Sequence, residues 1–236
     1  MIQVLLVEDD AEIARIIKYY LAQEDIFEVT WVNGSERARD VSHNAFDIIL
    51  MDIMLPDTDG ITLCAQLRKW HRCPILFISC LDDSDTIIRA LECGGDDYIT
   101  KPFDTRVLNA KILANYRRSR MEKDGRPDGG FKAGPFTLDY DTQILYKDGK
   151  PIPLVAMESR IIAYFIQNPN RYFRPQELYK QIWGKLSYGD NRTVTVHIYN
   201  LRKKIELDPS QPRYLKSVWG KGYIFDPEGR VLDEKP

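Results

Sequence analysis

Along its first half the chain alternates between two kinds of apolar pattern. Short unbroken runs, VLLV (4–7), DIILM (47–51), PILFIS (74–79) and DYIT (97–100), read as strands, with EVTWV (28–32) as a weaker fifth. Between them EIARIIKYYLAQ (12–23), ITLCAQLRKW (61–70), SDTIIRALECGG (84–95) and TRVLNAKILANYRR (105–118) place apolar residues three and four apart, the period of an amphipathic helix. Strands that are apolar throughout are buried on both faces. Alternation with helices therefore predicts an α/β fold with a five-stranded, doubly wound parallel sheet.

The pattern changes after SRMEKDGRPDGG (119–130), a charged, Gly- and Pro-containing stretch without apolar period that reads as a linker. Beyond it, FTLDYDTQILYKDGKPIPL (136–154) predicts short strands with a hairpin at Asp148-Gly149. Helical patterns follow at 156–167, 175–183 and 192–207, and YLKSVWGKGYIF (214–225) closes as a hairpin around Gly220 and Gly222. This is an α+β domain. The expected organisation is a first domain over 1–118, a linker over 119–130, a second domain over 131–227 and a tail over 228–236.

Charge separates the halves further. Residues 1–120 hold 14 Lys/Arg against 20 Asp/Glu, and residues 121–236 hold 19 against 15, so an acidic domain precedes a basic one. The four cysteines (Cys64, Cys73, Cys80, Cys93) lack CxxC spacing and the three histidines lie far apart, which argues against a zinc site or a disulfide framework and for buried or half-buried thiols. No run approaches the ~18 apolar residues of a membrane span, and the N-terminal apolar run stops in acid after VLLV, unlike a signal peptide. The expectation is a cytoplasmic protein without membrane contact.

Ligands of parallel sheets bind beyond the carboxyl ends of the strands. There VLLV ends in Glu8, Asp9 and Asp10, DIILM in Asp52, PILFIS in Ser79 and DYIT in Lys101. Any one acid at a strand end reads as a solvated loop residue, but convergence at one edge is different. Crowded carboxylates repel one another, and a hard cation such as Mg2+ allows all of them to stay ionised. Lys101 can neutralise the remaining charge, Ser79 can donate to a phosphoryl oxygen, and Asp52 is suited to attack phosphorus.

With those residues in view, VEDD, DIMLPDTDG, SCLDD and GGDDYITKPF resemble the receiver domain of two-component response regulators. The resemblance implies that Asp52 is the phosphoacceptor for a sensor histidine kinase, and that Glu8, Asp9 and Asp52 with the Met54 carbonyl hold Mg2+. It further implies that Lys101 contacts the phosphoryl group ahead of a cis bond to Pro102, and that Ser79 and Tyr98 form a switch pair. Ser79-Cys80 stands where Thr-Ala is usual, which keeps the hydroxyl. Apolar Met54 and Leu81 are expected to obstruct an attacking water and lengthen the phosphate lifetime. A phosphatase of the haloacid dehalogenase type is the rival reading, but it needs an acid two residues after the nucleophile, where this chain has Met54.

In NRTVTVHIYNLRKKIEL (191–207), Val194, Ile198, Leu201 and Ile205 make one apolar stripe, and Arg192, Thr193, Val196, His197, Asn200, Lys203 and Lys204 lie away from it. That second face mixes cations, amide, hydroxyl and methyl groups, suited to phosphates and base edges, although a solvated surface helix has a similar wheel. RTVTVHIYNLRKKI followed by VWGKGY resembles the winged helix-turn-helix of OmpR/PhoB-type regulators. The resemblance implies double-stranded promoter DNA as partner, contacted by Arg192, Thr193, Val196, His197, Asn200, Arg202, Lys203 and Lys204, with Lys216 and Lys221 near the wing. RNA polymerase is a further implied partner.

Three departures stand out. Trp219 occupies a wing position where many members carry a minor-groove Arg, which argues against insertion there. Val155 leaves Glu158 without its capping-box partner. Asn200 replaces a frequent Arg, which favours adenine over guanine. The family's homodimer face, formed on phosphorylation, maps to Ile87, Ile88, Leu91, Asp96, Asp97, Val107, Lys111 and Arg118. Asp97 with Lys111 and Asp96 with Arg118 match its usual ion pairs, and Ile87 with Val107 stands in for a third unless Ile87 is core. PILFIS, GGDDYITKPF and NAKILANYRR are also similar to the branch that controls cell-envelope and antimicrobial-peptide responses in Gram-positive bacteria.

Overall fold

The computed structural model describes residues 1–41, 43–121, 130–139, 142–184 and 191–230, with the side chains of 117–121 and 191 excepted. Most of the predicted linker, residues 122–129, and the Arg118 side chain therefore lie outside the described residues, as does the end of the tail, 231–236. The chain divides into two compact units, Met1–Met121 and Glu122–Pro236.

In the first unit β1 (Ile2–Val7), β2 (Phe27–Val32), β3 (Ile48–Met51), β4 (Ile75–Ser79) and β5 (Asp97–Thr100) form one parallel sheet in the order β2-β1-β3-β4-β5. The order reverses between β1 and β3, and the crevice at such a switch point is where this fold takes ligands. Alternate strand residues explain the apolar runs. Val4, Leu6, Ile48, Leu50, Leu76 and Ile78 pack under α1 (Ala11–Ala22) and α5 (Thr105–Met121), while Leu5, Val7, Ile49, Met51, Ile75 and Phe77 are buried on the opposite face.

The remaining helices are α2 (Ser35–Asp40), α3 (Gly60–Leu67) and α4 (Ser84–Glu92). Helix α2 has no counterpart in the sequence reading, because SERARD has no apolar period and buries only Ser35 and Ala38. One buried ion pair braces this side of the unit. Arg68, just after α3, donates to the Gly94 and Cys73 carbonyls and to Asp96, whose carboxylate also accepts the Ile75 amide at 2.8 Å. Asp96 is thereby turned inward, and its expected ion pair with Arg118 falls outside the described residues. The four cysteines are free thiols, Cys64 buried, Cys73 and Cys93 half-buried and Cys80 exposed, the last against expectation.

The second unit begins with an antiparallel sheet, β6 (Phe131–Ala133), β7 (Phe136–Asp139), β8 (Ile144–Lys147) and β9 (Lys150–Pro153), in sequential order. Asp148 and Gly149 turn the β8–β9 hairpin with φ of 51° and 76°, the doubly positive pair that the Asp-Gly signal implies. Helices α6 (Ala156–Gln167), α7 (Pro175–Trp183) and α8 (Asn191–Ile205) follow, with β10 (Tyr172–Phe173) between the first two. The chain ends in β11 (Leu215–Val218) and β12 (Gly222–Phe225), which pair with β10 in the order β10-β12-β11. Val194, Ile198, Leu201 and Ile205 all join this unit's core, with Phe136, Phe165, Trp183 and Phe225.

Candidate functional site

The carboxyl edge of the parallel sheet carries more acids than a site can use, and the structure sorts them by hydrogen bonding. Asp10 accepts the Glu12 and Ile13 amides at the start of α1, Asp59 the Ile61 amide at the start of α3, and Asp83 the Thr86 amide at the start of α4. These are N-caps, which satisfy otherwise orphaned amides. Asp57 does the same from a distance: it accepts the Ser35 amide at 2.9 Å and hydroxyl at 2.8 Å, tying the loop after β3 to the start of α2. The Ser35 hydroxyl and amide hold the Asp57 carboxyl below its ordinary range, and backbone amides led by that of Thr86 do so for Asp83.

Glu8, Asp9 and Asp52 remain. One carboxylate oxygen of each lies within 4.8 Å of the others, with Glu8 and Asp52 buried and Asp9 exposed. Lys101 binds this group together: its ammonium lies 2.9 and 2.8 Å from the two Glu8 oxygens and 2.5 Å from Asp52 Oδ2. Burial pushes the Glu8 carboxyl up to about 7 against the opposing pull of Lys101, with the neighbouring Asp52 charge adding to the rise. A deeply buried carboxyl that resists ionisation beside two other acids is a donor set short of positive charge. That donor set fits a hard divalent cation such as Mg2+.

Backbone geometry sets Asp52 at the crevice. Its amide donates to the Val7 carbonyl at 2.9 Å, extending the β1–β3 pairing, while its Oδ1 accepts the Met54 amide at 2.9 Å. The turn must be tight, because a Cβ on Gly60 would stand 2.0 Å from the Asp52 carbonyl oxygen. That close approach accounts for the glycine that ends the Pro-Asp-Thr-Asp-Gly turn. On the other flank Ser79 is buried, its carbonyl accepts the Lys101 amide at 2.8 Å, and the Lys101-Pro102 bond is cis. Tyr98 lies inward with its hydroxyl donating to the Leu81 carbonyl at 2.6 Å, and burial pushes its phenol up to about 12. Met54, 56% exposed, stands open beside the site.

Of the residues mapped to a dimer face, Leu91 is fully buried and Ile87 is 6% exposed, whereas Ile88 and Val107 are half-buried. Lys111 reaches both Asp97 oxygens at 3.0 Å within the same chain. Each of these two charges is therefore already satisfied internally, and an exchange between copies is not needed to pair them.

The second unit also redistributes its expected contacts. His197 is wholly buried with its ring 5.7 Å from that of Trp183, which corrects its assignment to DNA; its wheel position flanks the core stripe where α7 packs. Lys204 donates to Glu158 at 2.6 Å, and Glu158 also accepts the Val155 amide, half of the capping box whose other half Val155 lacks. Lys216 is buried against Asp226 at 2.8 Å, so it stabilises the wing's base and is not open to a phosphate. Arg202 donates to the Leu215 carbonyl and Ser217 hydroxyl, fastening α8 to β11. Thr193, Val196 and Asn200 are 3%, 6% and 8% exposed, and Arg192 is half-buried. Open to solvent are Thr195, Tyr199 and Lys203 on α8, spaced four apart, with Lys204 beside them, and Lys221 on the wing. Thr195 and Tyr199 were missed because the wheel reading took the face of Thr193, Val196 and Asn200, which the fold buries, as the open one.

Comparison with known proteins agrees with this anatomy. Residues 4–113 match the family described as response regulator receiver domain, and residues 149–225 match transcriptional regulatory protein, C terminal. The sensory transduction protein RegX3 of Mycolicibacterium smegmatis is 36% identical over 228 residues, 96% of this chain and 100% of that protein. The transcriptional regulatory protein YrkP of Bacillus subtilis is 34% identical over 226 residues, 94% of this chain and 97% of that protein. Among solved structures, a RitR C128D mutant has a TM-score of 0.77 at 21% identity, covering 96% of this chain and 99% of its own, a likeness of fold. The Thermotoga maritima OmpR/PhoB homologue DrrB has a TM-score of 0.50 at 28% identity with the same coverage. No helix among the described residues is long and apolar enough to cross a membrane. With a receiver carrying its acid cluster and a winged helix unit behind it, the chain belongs to the OmpR/PhoB-type two-component response regulators, proteins that regulate transcription by binding DNA.

Proposed function

We propose that Asp52 accepts a phosphoryl group from a histidyl phosphate of a sensor kinase, and that this modification controls a homodimer bound to promoter DNA. A carboxylate oxygen of Asp52 attacks phosphorus, the P–N bond to the imidazole breaks, and the imidazole leaves with the electron pair. The observation that carries this reading is the Lys101 ammonium in contact with both Glu8 and Asp52, with Asp9 in the same cluster. The ammonium can follow the incoming charge as the phosphoryl oxygens arrive, and the buried Ser79 hydroxyl lies at the adjoining strand end to donate to one of them. Glu8, Asp9, Asp52 and the Met54 carbonyl would hold Mg2+, which supplies charge neutralisation and orientation of the phosphoryl group.

Dimerisation would use α4, β5 and α5, where Ile88 and Val107 remain half-buried apolar residues. Two copies would engage repeated half-sites and gain avidity without new contacts. Arg192, Tyr199, Lys203 and Lys221 are the cations and ring available for DNA, whereas Thr193, Val196 and Asn200 are buried. The setting would be cytoplasmic, with RNA polymerase as the final partner.

The experiment compares wild type with Asp52→Ala. Each is incubated with a small phosphodonor and Mg2+, and acylphosphate, dimer fraction and binding to the upstream DNA are measured. Gains in all three for the wild type alone are expected. Equal acylphosphate formation in the two proteins would remove Asp52 as the nucleophile.

A further inference from the structure

Lys101 restrains the side chains of Glu8 and Asp52, but the two other groups of the cation site depend first on where the main chain runs. Asp9 is carried by the loop that leaves β1, and the Met54 carbonyl belongs to the loop that leaves β3. Acids crowded together without a counter-ion push one another apart, so both loops need an anchor. Both anchors involve one short segment, WVNGS (31–35), which joins β2 to α2.

At one end of the segment, the β1–β2 pairing runs as far as Val7 and Val32. One residue further, the Glu8 amide donates to the Val32 carbonyl at 3.1 Å, and the Trp31 indole N–H donates to the Glu8 carbonyl at 2.8 Å. Both main-chain groups of Glu8 are thus fixed, and with them the peptide plane from which Asp9 departs. A phenyl ring would fill the same space, but only the indole supplies a donor there. At the other end Ser35 is buried, and its amide and hydroxyl donate to Asp57 Oδ2 at 2.9 and 2.8 Å, joined by the Glu36 amide at 3.3 Å. Asp57 follows Met54 by three residues in the same loop. Helix α2 receives no cap from its own Gly34, so the carboxylate that caps it is also the one that ties down the Met54 loop.

The geometry points to segment 31–35 as the frame of the Mg2+ site, with Trp31 and Asp57 as positioning residues that hold the Asp9 and Met54 loops ready before the cation arrives. This deepens the metal reading of the acid cluster and rests on it. A hydrogen bond that is equally good with and without the cation adds nothing to affinity by itself. It acts by raising the fraction of metal-free molecules whose loops are already in place, and the apparent affinity follows that fraction. A role confined to folding would instead lower stability and leave the affinity for Mg2+ alone.

The test uses the full chain. Mg2+ is titrated alone and its affinity is read from amide NMR shifts at the ends of β1 and β3, urea midpoints give the stability without metal, and phosphorylation by a small phosphodonor is followed against Mg2+ concentration. Trp31→Phe keeps a ring and removes the donor, and Asp57→Ala releases Ser35. Each should bind Mg2+ about fivefold more weakly, as expected for a lost hydrogen bond, and the double variant about 25-fold, because the two anchors hold different loops. The rate at saturating Mg2+ should match wild type, so that the loss lies in the Mg2+ requirement and not in the maximal rate. Asp57→Asn, which keeps an acceptor oxygen for the Ser35 amide, should recover most of the affinity. As a control, Asp83→Ala removes the cap of α4 and should lower the urea midpoint at wild-type Mg2+ affinity. Wild-type Mg2+ affinity in either Trp31→Phe or Asp57→Ala would overturn the inference. So would an equal loss of affinity in Asp83→Ala, which would make the effect one of general stability. If the wild type bound no Mg2+, the metal reading itself would fall, and this inference with it.

Discussion

Replacing Lys101 with Met keeps the length of the side chain and removes the cation that three buried carboxylate oxygens share. In the native receiver Lys101 contacts Glu8 and Asp52 with side chains only 7%, 1% and 7% exposed, respectively. Removing one partner of such a group costs ~3–5 kcal/mol, because the other charges are left uncompensated. The loss should fall near ~3 kcal/mol at neutral pH, because Glu8 can relieve the repulsion by taking a proton.

The pH dependence has a definite sign. Glu8 is raised from 4.5 to about 7, so the folded state holds the proton more tightly than the unfolded chain. Its contribution to stability is fully present below 4.5 and is lost as pH rises through 7. Without Lys101 the folded value rises further, so the deficit of Lys101→Met should widen with pH above neutrality and shrink in acid. Added Mg2+ should restore part of it. Urea unfolding of the full chain at several pH values, with hydrogen exchange of the β1 and β3 amides isolating the receiver, measures this directly. A variant as stable as wild type above neutrality, or a deficit that narrows as pH rises, would refute the reasoning.

Other perturbations separate the remaining parts of the account. Gly60→Ala places a methyl 2.0 Å from the Asp52 carbonyl oxygen, so it should destabilise the receiver by ~2 kcal/mol or more and slow phosphorylation; the urea midpoint and the acylphosphate rate report both. In the second unit, burial would raise Asp226, but the Lys216 ammonium and the Glu228 amide outweigh it, and the carboxyl titrates below its ordinary 3.8. A lowered value adds stability above 3.8 that disappears as pH falls through the folded value. Lys216→Met should therefore weaken the unit at neutral pH and leave it less sensitive to acid, as followed by thermal unfolding across that range.

The parts legible in the sequence were those fixed by local pattern. VLLV, DIILM and PILFIS had to be strands covered on both faces, and the acids at their ends had to meet at one edge, because parallel strands share a direction. The Val194, Ile198, Leu201 and Ile205 stripe was legible for the same reason. Helix α2 was not, because Ser35–Asp40 is anchored by Asp57 from another loop and not by its own apolar face. Nor could the sequence tell which acids would cap helices and which would stay in the cluster: Asp10 and Asp57 differ from Asp9 and Asp52 only in the amides they meet. The basic half failed in a similar way. A helical wheel gives direction but not neighbours, so Lys204, Lys216 and His197 looked available until Glu158, Asp226 and Trp183 were found against them.

The central claim is that Asp52, and no other acid at the sheet edge, receives the phosphoryl group. Reductive trapping tests it most directly: the chain is phosphorylated with a small phosphodonor and Mg2+, treated with borohydride, which converts an acyl phosphate to the alcohol, and mapped by peptide mass. The account predicts homoserine at position 52 and unmodified Glu8, Asp9 and Asp57. Reduction at any of those three positions, or an equal yield from Asp52→Ala, would contradict it.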